Sequence, residues 1–262
     1  MFFFRIKKFL KYWLFSKHKR GFGTHSPFLY KLITGVFSNK KIPEVVYTIE
    51  NKRREYLQDK RAIEVRDLGA GSSLHKGTKR TISEMTKSSS VPKKYGILLM
   101  NMASEFGKRS VIELGTSLGI STMYLSSGAP MATIYTIEGS EEVANEAKKR
   151  FTELGFCNIH QYVGDFGDLL DDVLSDAGTP SMVFVDGNHR KKPTIDYFNR
   201  IVEKSSTDTV IVFDDIYYSE EMFDAWNEIK DDSRVTLSVD IYRMGLLFFK
   251  NGLYKSNYVI RY

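Results

Sequence analysis

The chain has 262 residues, 38 Lys and Arg against 32 Asp and Glu, five His and one Cys. A chain this long buries enough surface to fold without a disulfide or a structural metal, and the single Cys157 excludes a disulfide framework and a Cys-rich zinc site. With 42% hydrophobic and 27% charged residues it is neither a disordered chain nor a polytopic membrane protein.

The net charge of +6 is unevenly spread. Residues 1–110 carry +16, residues 111–262 carry −10, and residues 1–43 hold ten basic side chains and no acidic one. Such asymmetry indicates two parts with different partners.

In chain order, residues 1–23 predict a basic amphipathic helix. Phe2, Ile6, Phe9, Leu10 and Trp13 share one face, and Arg5, Lys7, Lys8 and Lys11 the other. Charges interrupt each apolar run and no cleavage site follows, so this is not a signal peptide. It is also too short to span a bilayer. The expected location is the cytoplasm. Residues 1–20 are left with two kinds of partner, a membrane surface or the protein itself, as a core contact or a homodimer contact. No nucleic-acid motif is present.

Ser26-Pro27 marks a helix start, with His25 beside it, and Glu44 to about Lys60 predict a second, charged helix. The run Asp67-Leu-Gly-Ala-Gly-Ser72 looks like a nucleotide turn, but no register supplies a P-loop, and a basic glycine loop accounts for it. Residues 1–90 thus predict a mostly helical, basic extension, and 91–262 a second domain.

After a helix over Pro92–Phe106, Ser110–Leu114 reads as a buried strand, Gly115-Thr116-Ser117-Leu118-Gly119 as a turn, and Ile120–Ser127 as a helix. The dinucleotide fingerprint fails, because Ser117 and Ile120 occupy its second and third glycine positions. The pattern G-x-S-x-G matches a hydrolase nucleophile elbow, but the last histidine, His189, lies only three residues after Asp186, with several strands still to come.

Strands then alternate with helices. Ala132–Glu138, Asn158–Val163, Ser181–Val185 and Thr209–Phe213 read as strands, and Val235–Tyr242 and Gly245–Lys250 as a closing pair. The alternation predicts a doubly wound α/β sheet, mostly parallel, with ligands at the carboxyl ends of the strands. Acids stand at those ends: Glu138, Asp186, Asp214 and Asp215.

The run Glu113-Leu-Gly-Thr-Ser-Leu-Gly119 resembles the first motif of the class I S-adenosylmethionine (SAM)-dependent methyltransferases. The likeness extends to Glu138-Gly139-Ser140, Gly164-Asp165-Phe166 and Asp186, over about residues 90–262. It implies a Rossmann-like sheet of seven strands, one antiparallel. It implies that Glu113, Gly115, Thr116, Ser117 and Gly119 form the cofactor turn and that Glu138 holds the ribose, with Gly139 and Ser140 also cofactor-binding. Asp165 and Phe166 would then lie at the adenine, with cap and core residue of the next helix as the structural alternative.

Asp186-Gly-Asn-His189 and Phe213-Asp214-Asp215 are most similar to the catechol and caffeoyl-coenzyme-A type O-methyltransferases and their bacterial relatives. The resemblance implies a small-molecule methyl acceptor and offers Asp186, Asp214 and Asp215 as ligands for Mg²⁺, with Asp215 where that pattern has Asn. His189 stands at the position of the family's lysine base; its reference pKa of about 6.5 suits a general base beside Asp186, and a hydrogen-bonded loop histidine is the structural alternative. Two rivals stay open: a methyltransferase of nitrogen or of a macromolecule or lipid docked through the basic end, and a non-catalytic SAM-fold binding module.

Overall fold

The computed structural model describes residues 2–17, 21–24, 26–39, 41–66 and 79–262. His25 and the Asp67–Ser72 run lie outside the described residues. The first part comprises helices α1 (Phe2–Phe15), α2 (Pro27–Lys31), α3 (Glu44–Gln58) and α4 (Ile82–Ser89), with a short antiparallel pair of strands, β1 (Ala62–Glu64) and β2 (Lys79–Thr81). Helix α2 starts as the Ser26-Pro27 signal predicts, with the Ser26 hydroxyl accepting from Leu29 N, and continues into a π-helical turn over Leu32–Phe37. Helix α4 was not foreseen; Thr81 and Glu84 form a reciprocal capping box at its start.

From residue 93 the elements alternate: α5 (Lys93–Phe106), β3 (Ser110–Leu114), α6 (Ile120–Gly128), β4 (Thr133–Glu138), α7 (Glu141–Glu153), β5 (Ile159–Val163), α8 (Phe166–Ala177), β6 (Met182–Val185), α9 (Lys191–Lys204), β7 (Val210–Phe213), α10 (Glu220–Asp231), β8 (Leu237–Asp240), β9 (Gly245–Phe248) and β10 (Ser256–Val259). The main sheet runs in the order β10-β8-β9-β7-β6-β3-β4-β5. Strands β7, β6, β3, β4 and β5 are parallel, and β9 is antiparallel to both β7 and β8. The α/β class and the reversed strand agree with expectation. An eighth strand, β10, adds in parallel to β8. It escaped notice because Ser-Asn-Tyr-Val is a short, half-exposed edge without the continuous apolar run of a buried strand.

Helices cover both faces. Successive side chains of β3 point to opposite faces, so Val111 joins one core with Leu98 and Met123, while Ile112 and Leu114 join another with Leu170, Phe198 and Trp226. Leu29, Val46, Ile49 and Tyr56 belong to the first of these cores. The N-terminal helices therefore complete a helical layer over the sheet. Among the described residues, no helix is long and apolar enough to cross a membrane.

Candidate active site

The break in strand order falls at β3, where the chain turns toward β4 on one side and β6 on the other. In a parallel sheet this opens a crevice at the strand ends. The Gly115–Gly119 turn sits there. Gly115, Ser117 and Gly119 all have left-handed backbones, with φ of +110°, +47° and +80°. The amides of Gly115 and Thr116 both donate to Ile137 O at 3.1 Å, tying the turn to β4. A Cβ on Gly115 would stand 2.1 Å from Asp186 O, and one on Gly119 would meet the Phe151 ring at 2.5 Å. Glycine is therefore required at both places by close approach as well as by φ.

Glu138, at the end of β4, is bracketed by backbone amides: Ser117 N donates to Oε2 at 2.8 Å and Ser140 N to Oε1 at 3.0 Å. Such charge-assisted bonds fix both the carboxylate and the turn. Ser140 stands at the start of α7, but its hydroxyl makes no cap bond to that helix. It donates instead to Glu64 O and accepts from Arg66 N, while Glu142 accepts from Glu64 N. With Arg61 paired to Glu146 at 2.9 Å, residues 61–66 are strapped along α7 beside Glu138. Nothing in the sequence pattern announced this strap, because it joins positions more than 70 apart.

Glu113 is fully buried on the α6 side of β3. Its Oε2 accepts from Thr122 Oγ1 at 2.5 Å and Thr136 Oγ1 at 2.7 Å. The buried Thr116 hydroxyl bonds that of Thr136 at 2.6 Å. Burial pushes the Glu113 carboxyl up to about 7, with the hydroxyls holding it down in part. Glu113 and Thr116 thus support the turn from beneath, and Glu113 Oε1 is buried without a hydrogen bond.

Asp165 accepts from Gly167 N at 2.7 Å and so caps α8. The Phe166 ring lies against Gly187, where a Cβ would come within 2.3 Å, and edge-on to Tyr197 with centroids 6.1 Å apart. Phe166 therefore reaches the Asp186–His189 loop from the side, and Asn188 Nδ2 donates to Tyr197 OH at 3.0 Å.

Asn188 and His189 have φ of +66° and +38°, a left-handed backbone uncommon outside glycine. This backbone brings His189 Nε2 to 3.7 Å from Asp186 Oδ1, and the imidazole lies over Tyr218 with centroids 5.2 Å apart. Burial, Asp214 and Asp215 push the Asp186 carboxyl well above the usual carboxylate range.

The expected metal ligands do not form a metal site. Asp214 is buried and closed by Arg243: Nε donates to Oδ1 at 3.0 Å and Nη2 to Oδ2 at 2.7 Å. The same Nη2 stands 3.7 Å from Asp215 Oδ1. A guanidinium thus occupies the carboxylate lone pairs that a hard cation would need, and among the described residues no group of three His, Cys, Asp or Glu is spaced to hold a metal. Asp186, Asp214 and Asp215 are a charge cluster around Arg243, and Mg²⁺ does not fit them. Arg243, in the turn between β8 and β9, was missed because a lone arginine there carries no motif.

The donor set does fit SAM. The turn is backbone-built, Glu138 is a paired carboxylate acceptor beside it, and Asp186 adds a second acid on the adjoining strand. That chemistry suits ribose hydroxyls and a sulfonium cation.

Residues 112–216 match a family described as a methyltransferase domain. A protein-L-isoaspartate O-methyltransferase of Dictyoglomus turgidum is 40% identical over 72 residues, which are 27% of this chain and 32% of that protein. A catechol O-methyltransferase of Niastella koreensis is 27% identical over 138 residues, 52% of this chain and 62% of that protein. The chain thus matches less than two thirds of the length of either curated relative. The O-methyltransferase TomG of Streptomyces achromogenes, solved with SAM, superposes with a TM-score of 0.59 at 21% identity, covering 85% of this chain and 95% of that one. Residues 112–216 thus resemble a methyltransferase domain, and the chain shares its α/β fold with the O-methyltransferase TomG.

Proposed function

We propose that the protein is a SAM-dependent methyltransferase that methylates an oxygen of a small-molecule acceptor. The observation that carries this reading is the placement of His189 beside Asp186 at the strand end adjoining the Gly115 turn. Glu138, Ser117 and Ser140 hold the ribose side of the cofactor, and Asp165 and Phe166 bound the adenine side. When bound, SAM supplies a methyl group on a positively charged sulfur and leaves as a neutral thioether. That methyl group would be available to an acceptor oxygen, whose hydroxyl proton His189 would take. The residue's strained backbone and its contact with Tyr218 fix the ring for that transfer. The acidic cluster, with Arg243 neutralising part of it, favours a cationic ligand.

A macromolecular acceptor is the second reading, favoured by the similarity to a protein-L-isoaspartate O-methyltransferase. One experiment separates the two. Labelled SAM is incubated with the protein, a panel of phenolic and catecholic hydroxyl compounds, and a protein extract. Label in the small-molecule fraction supports the proposal, and label in protein alone overturns it. In the small-molecule assay, His189→Ala lowers kcat about 10²–10⁴-fold and leaves SAM affinity unchanged. An unchanged kcat removes His189 as the base.

A further inference from the structure

Helix α1 carries more apolar surface than its own fold uses. One side is docked. The Phe4 ring meets Phe223 of α10, and Lys8 Nζ lies 3.4 Å over the same ring. The Phe9 and Tyr12 rings pack on Tyr242 with centroids 5.2 and 5.3 Å apart, and the Tyr12 hydroxyl donates to Ile260 O at 2.7 Å. Positions 4, 8 and 12, with 5 and 9 beside them, make one face of a helix.

The opposite face repeats the pattern. Positions 3, 6, 10, 13 and 14 follow helical spacing and are all large and apolar. All are exposed: Phe3 by 85%, Leu14 by 64%, Leu10 and Trp13 by 53% each, and Ile6 by 41%. On the helical wheel, Lys7 and Lys11 border this stripe, and both are exposed. Scattered surface hydrophobics are ordinary, but five aligned on one stripe and edged by lysine are a contact surface.

We propose that this outward face of α1 docks on an anionic lipid surface. The charge decides among occupants. Residues 1–43 hold ten basic side chains and no acid. A second copy packed through the same stripe would bring Lys7 and Lys11 against their own counterparts, with no acid in the segment to offset them. An anionic bilayer takes the apolar stripe into its acyl boundary and the lysines into its headgroups. The inner face keeps α1 fixed to the protein, so the helix lies in the membrane plane as a rigid part of the domain. The inference is independent of which acceptor is methylated.

The test is co-sedimentation of the full chain with vesicles of phosphatidylcholine, alone or mixed with phosphatidylglycerol. The expected result is partitioning about tenfold or more in favour of the anionic vesicles, weakening as salt is raised. Leu10→Gln with Leu14→Gln changes only the outward face. It should reduce binding about tenfold or more and leave the melting temperature and SAM binding unaltered. Equal partitioning to both vesicle types, no partitioning, or undiminished binding by the double variant overturns the proposal. A dimer in light scattering that the double variant dissociates assigns the stripe to a second copy instead.

Discussion

Arg243 and Asp214 form a two-point ion pair at the carboxyl end of the sheet, with Nε and Nη2 of the guanidinium on the two oxygens of a carboxylate that is shut off from solvent. The arginine comes from the turn between β8 and β9 and the aspartate from the end of β7, so the pair also ties the reversed strand β9 to β7, against which it runs antiparallel.

Removing one partner leaves a buried charge unpaired, which costs about 3–5 kcal/mol where the pair is well buried. Arg243→Met should therefore lower stability to denaturant by that order. Adding Asp214→Asn should recover part of the loss, since the orphaned charge goes with it. Chemical denaturation of the parent, the double variant and each single variant, Asp214→Asn included, gives the coupling; additive losses would mean that the pair is not coupled.

Because the guanidinium fills the place of a cation, methyl transfer should be insensitive to EDTA and gain nothing from added Mg²⁺. A rate that falls with EDTA and returns with Mg²⁺ would contradict the charge-cluster account of Asp186, Asp214 and Asp215.

Glu138 joins the Ser117 and Ser140 amides, so its loss affects both the proposed ribose contact and the turn. At about 1.5–3 kcal/mol per hydrogen bond to a charged group, Glu138→Ala should weaken SAM binding about 10- to 100-fold or more. Glu138→Gln keeps the acceptor oxygen without the charge and should fall between. Isothermal calorimetry with SAM reads both.

Gly115→Ala places a methyl group on Asp186 O and asks alanine to hold φ of +110°. The main chain of β3 and β6 must separate to admit it. The melting temperature should drop, and SAM binding should be lost even in the fraction that folds. Full SAM affinity in Gly115→Ala would contradict the close approach of these two strand ends.

Glu113 gives a pH dependence with a definite sign. Burial lifts its carboxyl from 4.5 in the ordinary state to about 7 in the fold. Below the ordinary value it is protonated in both states and carries no penalty. As pH rises through that window the unfolded chain ionises first, so stability falls, by up to about 3 kcal/mol, and levels off above the folded value. Asp186 and Asp214, also pushed up by burial, act in the same direction. The difference between parent and Glu113→Gln isolates the one group. The variant's melting temperature should gain on the parent's from pH 4.5 to 7, and parallel curves would refute the assignment.

Much of the sheet that positions this candidate site could be read in the sequence because parallel strands buried on both faces are short apolar runs. Ser110–Leu114, Met182–Val185 and Val210–Phe213 each announce themselves, and the glycines and acids after them mark the crevice. What escaped reading depends on pairing across long separations. Arg243 gains its meaning only when β9 inserts between β7 and β8. Ser140 looks like a helix cap until the strap at residues 61–66 claims its hydroxyl. The first helix shows the limit of a wheel drawn in isolation. The wheel grouped Phe9 with Ile6, Leu10 and Trp13, whereas the fold takes Phe9 with Tyr12 and turns the other three outward. Two apolar faces on one helix cannot be ranked without the surface that receives one of them.

The pairing of α1 with Tyr242 and Ile260 also sets an order of events during synthesis. The helix leaves the ribosome some 230 residues before its seat is made. At about 5–20 residues per second, that is an interval of roughly 12–46 seconds. Throughout it both apolar faces of the nascent segment are uncovered. A chaperone or a bilayer that meets the emerging segment finds both faces open while the domain behind it is still being built.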